Sequence, residues 1–234
     1  MSRARNLILL AFAACALGAP NVSASPITIP PLLAPGSSYL LAFMTLGTRD
    51  ATSTNIADYD SFVSTVANSD PTLAALGTTW KVIGSTSAVN AAAHISVGPL
   101  PVYNLAGQLV ANNSADLFDG SIANGVHYAQ DGSDCNVLCG QGNPFTGTNG
   151  NGTTAVGAEL GCTGDNCVNI GSFAATNGTW LAFAPRDPAS PRPFYGISAE
   201  LTVPTTVVPE PASLLLFGAG LLAAAMRQRR KSRR

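Results

Sequence analysis

The stretch Tyr39-Leu-Leu-Ala-Phe-Met-Thr-Leu46 is a continuous apolar run of strand length, which predicts a buried strand. After it, Thr54 or Asn55 can cap a helix, because a short polar side chain there can accept hydrogen bonds from the first free backbone N–H groups. Apolar residues follow at helical spacing and form one stripe, as expected for a helix that packs on a strand. They are Ile56, Tyr59, Phe62, Val63, Val66 and Ala67.

A second, shorter helix is predicted directly afterwards, with Asp70 as its N-cap, Pro71 at its first position and Gly77 as its stop. The sequence then changes to short runs of β-branched or aromatic residues, separated by Gly, Pro, Ser and Asn. These runs predict short strands. These runs are residues 80–83, 94–97 and 102–103.

The remainder of the body is rich in turns and loops. Asn104-Leu-Ala-Gly107 predicts a turn between residues 101–103 and 108–110, and residues 130–179 form a long glycine-rich region. Residues 178–183 and 194–203 predict closing strands. The predicted fold class is therefore α+β, with an N-terminal strand and helix pair followed by short antiparallel strands and long loops.

Composition sets the class of protein. The chain has 234 residues, of which 46% are hydrophobic and 11% charged, enough apolar content for a core in one domain of about 170 residues. Between Asp50 and Glu200 lie 12 acidic residues, against only four basic ones from Arg49 to Arg192, so the net charge of the body is near −8. A basic groove for nucleic acid is excluded for this part.

The N-terminus has the pattern of a secretory signal peptide, assigned to residues 1–24. Arg3 and Arg5 form a charged region, and residues 7–17 form an apolar run too short to span a bilayer of roughly 30 Å. Val22-Ser23-Ala24 places small residues at the −3 and −1 positions, which predicts cleavage by signal peptidase after Ala24. Residues 25–37 follow as a Pro-rich leader, predicted to be extended and not packed.

The C-terminus combines three features in a fixed order. A linker, residues 204–211, contains Pro209, Glu210 and Pro211, and residues 212–226 carry no charge. A helix over those 15 residues would be about 22 Å long, which is short for a permanent anchor unless the Arg side chains snorkel and the bilayer thins. The basic tail, residues 227–234, favours the cytoplasmic side of the membrane. Its basic residues are Arg227, Arg229, Arg230, Lys231, Arg233 and Arg234.

This order of Pro-Glu-Pro, short apolar helix and arginine cluster closely resembles the PEP-CTERM sorting signal of Gram-negative bacteria. The resemblance covers about residues 208–234. It implies recognition by an exosortase, a membrane transpeptidase-like enzyme, with cleavage near Pro209-Glu210-Pro211. Such proteins tend to occur in bacteria that make exopolysaccharide and biofilm. The ordinary alternative is a tail anchor, and under both interpretations Glu210 is not a catalytic acid.

The body, residues 38–203, resembles the C-type-lectin-like fold in its endostatin-like and bacterial surface-protein branch. The resemblance rests on short pieces in order: a helix pair, Trp80-Lys-Val-Ile-Gly-Ser-Thr-Ser87, a hairpin over residues 102–110, Leu117-Phe-Asp-Gly120 and Phe145-Thr-Gly-Thr148. It implies an extracytoplasmic domain of that fold. The alternative is a generic β-sandwich with an N-terminal helix. The Glu-Pro-Asn, Gln-Pro-Asp and Trp-Asn-Asp triplets of sugar-binding members are absent, so the resemblance does not imply calcium-dependent sugar binding.

Four cysteines remain once Cys15 is removed with the signal peptide: Cys135, Cys139, Cys162 and Cys167. An even number in an exported chain predicts two disulfides, and three pairings are possible. The local pairing, Cys135–Cys139 and Cys162–Cys167, is favoured because both short loops contain residues that turn tightly. The nested pairing, Cys135–Cys167 and Cys139–Cys162, would instead cross-link the long loop region. A four-thiolate zinc site is the further alternative, but the C-x3-C and C-x4-C spacings are not the usual zinc knuckles.

Few residues suggest catalysis. His94 and His127 are the only histidines, neither has a nearby motif, and no G-x-S-x-G elbow is present. Asp116 and Asp119 could meet as a carboxylate pair, as in glycosidases, but turn acids are the simpler interpretation. No cofactor fingerprint and no metal ligand set is assigned. Residues 131–134 and 165–166 offer oxygen atoms, without the EF-hand order.

The sequence thus predicts an exported, non-enzymatic protein of the cell surface or extracellular matrix of a Gram-negative bacterium. Before processing, the C-terminal helix would anchor it in the inner membrane, and its partners would be signal peptidase and an exosortase. Two alternatives remain. One is a lectin-like module that binds extracellular polysaccharide through aromatic side chains on its long loops. The other is a secreted hydrolase that acts through Asp116 or Asp119.

Overall fold

The computed structural model describes residues 25–137 and 139–205. The predicted signal peptide with its cleavage site at Ala24, the Pro-Glu-Pro motif, the apolar segment 212–226 and the basic tail lie outside these residues. Within the described part the chain mixes short helices with short strands, which confirms the α+β class. No helix in residues 25–137 or 139–205 is long and apolar enough to cross a membrane.

Strand β1, Ser38–Met44, is the predicted buried strand. Its side chains alternate between two cores: Leu40, Ala42 and Met44 face one, and Tyr39, Leu41 and Phe43 face the other. Because successive side chains of a strand point to opposite faces of the sheet, a strand covered on both faces must be apolar throughout. This explains the continuous apolar run in the sequence.

The two predicted helices are confirmed, each with its predicted N-cap. Helix α1 spans Ile56–Asn68, and the Asn55 side chain accepts a hydrogen bond from the Ala57 N–H. Helix α2 spans Pro71–Ala74, and the Asp70 carboxylate accepts from the N–H groups of Thr72 and Leu73. The stripe of α1 puts Tyr59, Val63 and Ala67 into the core beside Phe43.

The main sheet consists of β1 and five further strands. They are β2 (Trp80–Val82), β3 (Val102–Asn104), β4 (Leu109–Ala111), β7 (Tyr195–Ser198) and β8 (Leu201–Thr202). The order is β2-β7-β1-β3-β4, with β8 beside the start of β1, and β1 is parallel to β3 and antiparallel to β7 and β8. The parallel pair arises because α1, α2, β2 and a further short helix lie in the crossover between β1 and β3.

The other elements are short. Helices α3 and α4 span Ala91–His94 and Ser114–Leu117, and both contribute to the core on the face of the sheet opposite α1. Strands β5, Val168–Ile170, and β6, Ala184–Arg186, form a separate two-stranded sheet. The long region between α4 and β5 consists of turns and isolated bridges, as the sequence predicted.

Three strand predictions require correction. Residues 94–97 do not form a strand, because the run of three alanines before them favours helix and α3 ends at His94. Residues 178–183 begin as a 3₁₀ helix, Gly178–Trp180, because the Asn177 side chain caps the N–H of Thr179. Residues 194–203 are two strands, β7 and β8, interrupted where the Ala199 N–H bonds to the Thr79 carbonyl.

The Pro-rich leader was predicted to be extended and not packed, but it turns twice, at residues 31–32 and 35–36, and it is packed. The turns are closed by hydrogen bonds from the Leu33 N–H to the Pro30 carbonyl and from the Ser37 N–H to the Ala34 carbonyl. Pro26 and Pro30 are buried, and the Ile27 N–H donates to the Leu105 carbonyl at 2.8 Å. The Tyr39 hydroxyl donates to the Thr28 carbonyl at 2.6 Å. A prolyl residue loses little entropy on ordering, so a segment rich in proline can lie against the body without regular secondary structure.

A buried network of hydroxyl groups joins two sequence motifs far apart in the chain. Ser85, Thr146 and Thr148 are all fully buried. Thr148 Oγ1 donates to Ser85 Oγ at 2.9 Å, and Ser85 Oγ accepts from the Ala91 N–H at 2.9 Å. The Ser85 N–H also donates to the Thr146 carbonyl at 2.9 Å. The Trp-x-x-x-x-Ser-Thr and Thr-Gly-Thr segments thus meet, and the first turn of α3 is held against them.

Tyr195 supports a prediction about stability at alkaline pH. Burial raises the pKa of its phenol above the ordinary value, and the hydroxyl has no hydrogen-bond partner among the described residues. Because the phenol ionises near pH 10 in the unfolded state but only at higher pH in the folded state, the free energy of unfolding falls as the pH rises above 10. Tyr195→Phe should change the free energy of unfolding at pH 7 by no more than about 0.5 kcal/mol. Above pH 10 it should remove the loss of about 1.4 kcal/mol per pH unit that the tyrosine causes.

Tyr59→Phe is the matched control in urea titrations at pH 7, and at pH 11 it should show the same kind of gain, because burial raises the pKa of the Tyr59 phenol as well. The Tyr59 hydroxyl donates to the Ser53 carbonyl at 2.6 Å, so its removal should cost about 1 kcal/mol at pH 7. A loss of more than about 2 kcal/mol for Tyr195→Phe at pH 7 would show that its hydroxyl is satisfied and contradict the prediction.

Candidate functional site

The end of the body that leads to the sorting segment is fixed beside the leader. Strand β8 pairs Leu201 with Tyr39, and beyond it two hydrogen bonds of 2.9 Å join Val203 to the leader. In these the Gly36 N–H donates to the Val203 carbonyl, and the Val203 N–H donates to the Ser37 carbonyl. The body therefore presents both of its ends at one place. Pro209, Glu210 and Pro211 follow a few residues beyond and lie outside the described residues.

The four body cysteines are paired locally, Cys135 with Cys139 and Cys162 with Cys167. This is the pairing that the sequence favoured over the nested one. Both bridges close small loops within the region between α4 and β5. Disulfides persist in oxidising compartments, so the pairing fits an exported chain.

His127 forms a pair with a carboxylate beside the first disulfide. Its Nδ1 lies 2.8 Å from an oxygen of Asp134, and that same oxygen accepts the Asn136 N–H at 2.9 Å. The ring packs on Tyr128, with 4.4 Å between the ring centroids. The Cys135 N–H donates to the His127 carbonyl, so the pair and the Cys135–Cys139 bridge form one local unit.

His94 forms the second such pair, across a much longer separation in sequence. Its Nε2 lies 2.9 Å from Oδ1 of Asp60 in α1, and Asp60 also accepts the Val82 N–H at 2.8 Å. Lys81 Nζ donates to the His94 carbonyl at 2.7 Å. Asp60 therefore joins α1, β2 and α3, and sequence reasoning missed it because no local signal connects residues 34 positions apart.

Each pair contains an imidazole and an orienting carboxylate, which are two of the three groups of a hydrolytic triad. No hydroxyl or thiol of the described residues forms a hydrogen bond with either imidazole. The cysteines nearest His127 are joined in a disulfide and are not free nucleophiles. In this arrangement both pairs can fix neighbouring segments, and neither is assembled for nucleophilic attack.

Asp116 and Asp119 each form local hydrogen bonds in a turn. Asp116 Oδ2 accepts from the backbone N–H and the side-chain amide of Asn112, at 2.6 and 2.8 Å. Asp119 Oδ1 accepts from the N–H and the hydroxyl of Ser121, both at 2.9 Å. These contacts match the interpretation of both residues as turn acids. They give no reason to assign either one a role in catalysis.

The acids of residues 131–134, one of the two loops considered for calcium, likewise form local contacts. Asp131 accepts the Ser133 N–H, and Asp134 is shared by His127 and Asn136. Residues 25–137 and 139–205 contain no group of three or more His, Cys, Asp or Glu side chains placed to hold a metal ion.

A recurrent turn explains several polar triplets of the form Asp/Asn-x-Ser/Thr. In each, the first side chain accepts hydrogen bonds from both the N–H and the hydroxyl of the third residue. The triplets start at Asp50, Asp119, Asn151 and Asn177. Two of them match the glycosylation consensus, and the structure accounts for them as turns.

The aromatic side chains proposed to bind polysaccharide are mostly inside the body. Trp80 and Trp180 are only 2% and 1% exposed, and both contribute to the cores. Phe183, at 52%, is the one exposed aromatic residue in residues 25–137 and 139–205. The tryptophans are thus unavailable as stacking platforms.

One open cavity of about 310 Å³ lies at the end of the sheet beside β2 and β7. Lys81 and Glu200 are its charged lining residues, and Leu40, Ile95 and Leu100 supply an apolar part. It has no aromatic lining, so it lacks the flat ring surface that stacks on sugars.

Comparison with known proteins identifies the tail. Residues 207–231 match the PEP-CTERM protein-sorting motif, which contains Pro209, Glu210 and Pro211. The chain is therefore a protein with a PEP-CTERM sorting signal, and such a signal marks an exported protein that an exosortase processes at the membrane. No curated protein matches the chain, and the lectin-like resemblance of the body is not confirmed.

Proposed function

We propose that the body is a non-enzymatic component of the cell surface or extracellular matrix, delivered there by its C-terminal sorting signal. The observation that carries the proposal is the match of residues 207–231 to the PEP-CTERM motif. In this scheme Pro209, Glu210 and Pro211 are recognised by the exosortase. Residues 212–226 hold the chain in the inner membrane before cleavage, and the basic residues of 227–234 set its orientation.

The two local disulfides, and two imidazoles that are bonded to carboxylates but to no nucleophile among the described residues, support a passive role for the body. Both histidines bind carboxylates that also accept backbone N–H groups, so their contacts serve structure. The lectin-like fold remains part of this proposal. It is supported by the buried contact between Ser85 and Thr148, which brings together two segments of the resemblance.

The proposal is tested by expressing the chain in a host with its own exosortase and analysing the C-terminus by mass spectrometry. Deleting residues 209–234 should leave the body unanchored, in the soluble exported fraction. Replacing Pro209, Glu210 and Pro211 together with alanine should reduce the processed product at least about tenfold, equivalent to about 1.4 kcal/mol of recognition free energy.

Glu200→Gln is the matched control, because Glu200 is an exposed acid of the body only ten residues before Glu210. It should be processed like the natural sequence. Recovery of intact C-terminal peptides from a cytosolic pool, or membrane retention of the deletion variant, would contradict the proposal.

A further inference from the structure

Apolar side chains are concentrated on the outer surface of the leader. Six large hydrophobic residues are exposed in the described part of the chain, and three of them lie within six positions of one another. These are Ile27, Ile29 and Leu32, at 40%, 45% and 94% exposure. Scattered exposed apolar residues are normal in soluble proteins, but a cluster indicates a surface that contacts something apolar.

The segments that contact the leader carry no charged residue. The leader packs on the hairpin turn, where a Cβ at Gly107 would lie 3.0 Å from Pro31 and 3.2 Å from Ile27. It also bonds to the end of the body at Val203. The three described segments that meet here, residues 25–48, 100–115 and 201–205, contain no Asp, Glu, Lys, Arg or His. The net negative charge of the body therefore resides elsewhere.

The same surface holds the point where the body leads into the sorting signal. A Cβ at Gly36 in the leader would lie 3.7 Å from the Thr205 side chain, and Thr205 is the last residue described. Only residues 206–211 separate it from the apolar segment that begins at Ala212. Six residues span at most about 20 Å, so while that segment is in the bilayer the body cannot leave the membrane surface.

We propose that the leader face, defined by Ile27, Ile29 and Leu32, lies in the interfacial region of the lipid bilayer before the tail is cleaved. This inference rests on the proposed membrane anchoring of residues 212–226. An uncharged apolar surface suits a membrane interface, where an acidic surface would be repelled by anionic lipids. The tether raises the effective concentration of lipid to the order of millimolar or more, so a weak contact suffices. Once the exosortase removes the anchor, that weak contact no longer holds the body, and it leaves the membrane.

The test uses the purified chain as signal peptidase is predicted to leave it, residues 25–234, reconstituted in vesicles of phosphatidylcholine and phosphatidylglycerol with brominated acyl chains, which quench nearby tryptophans. Leu32→Trp places a reporter at a position that packs on nothing, and the native tryptophans are shielded in the core. Val156→Trp is the matched control, since Val156 is 92% exposed on a loop joined to Gly147. Interfacial insertion of about 5–10 Å brings Leu32→Trp within reach of the bromines, so about twofold quenching of its added signal is expected.

The outcomes separate the inference from the proposed function. Quenching of Leu32→Trp with an unchanged Val156→Trp supports the inference. Flotation of the chain with vesicles but equal quenching of both reporters overturns the leader contact and leaves the anchor intact. A blue shift of Leu32→Trp without quenching, dependent on protein concentration, assigns the face to a second copy and overturns the inference. Failure to float with vesicles overturns the anchor, and the leader contact with it.

Discussion

Replacing Gly147 with alanine is expected to lower the free energy of unfolding by about 3–5 kcal/mol, a large part of the stability of a typical domain. Gly147 has φ +61°, where a side chain is strained by about 1–2 kcal/mol. A Cβ there would also strike backbone on both sides, at the Leu160 nitrogen and, at 2.6 Å, the Ser85 carbonyl oxygen. Because the Leu160 N–H donates to that Ser85 carbonyl oxygen at 2.9 Å, neither atom can move aside without disturbing this hydrogen bond.

Gly77→Ala is the matched control for this prediction. Gly77 has nearly the same φ, +59°, and no atom lies within 4 Å of the position of its Cβ. Its substitution should therefore show the cost of backbone strain alone, about 1–2 kcal/mol in urea titrations. If the two variants lose equal stability, the close approach at Gly147 is not a constraint on the fold.

Asn104→Ala is expected to cost about 3 kcal/mol or more. Asn104 is fully buried at the turn between β3 and β4. Its Oδ1 accepts the N–H groups of Ala106 and Gln108, both at 3.1 Å, and its Nδ2 donates to Gln108 Oε1 and to the Gly125 carbonyl. Alanine would remove four hydrogen bonds and leave buried partners unpaired, which costs more than the bonds contribute.

Asn149→Ala provides the comparison at the surface. Asn149 donates to the Thr153 hydroxyl and the Thr154 carbonyl, but its side chain is exposed and water can replace both contacts. Asn149→Ala should therefore lower the free energy of unfolding by less than about 1 kcal/mol in the same thermal or urea measurement. A loss for Asn104→Ala as small as that for Asn149→Ala would mean that the hairpin turn does not depend on its buried amide.

The predictable parts of the fold are those encoded within a few residues. Asn55 and Asp70 cap helices through hydrogen bonds to residues two or three positions away, and Asn104 shapes its own turn. Such contacts follow from residue type and spacing alone. Strand β1 could also be predicted from the sequence, because a strand that is buried on both faces must be apolar at every position.

The contacts that were missed join residues far apart. Asp60 reaches His94 across 34 positions, and Thr148 reaches Ser85 across 63. The prediction of a strand at residues 178–183 was wrong for a related reason. Its aromatic residues favour strand only where neighbours supply a pleated surface, and here the Asn177 cap forms a 3₁₀ turn first.

The sorting signal can be identified from residue order alone because a processing enzyme recognises a short linear segment, with all its residues in one stretch. A ligand site in the body would instead depend on residues brought together by the fold. The spacing of His127 and Asp134 gave no hint that their side chains meet.

The position of β8 also determines how the body bears mechanical load. A pull transmitted through Thr205 enters at a strand of two residues that pairs only with the first two residues of β1. Tension applied there peels these bonds one after another, which needs less force than shearing a whole ladder at once. While the anchor is still attached, this strand and the adjoining leader bonds would therefore give way first, and β2, β7 and β1 would stay paired.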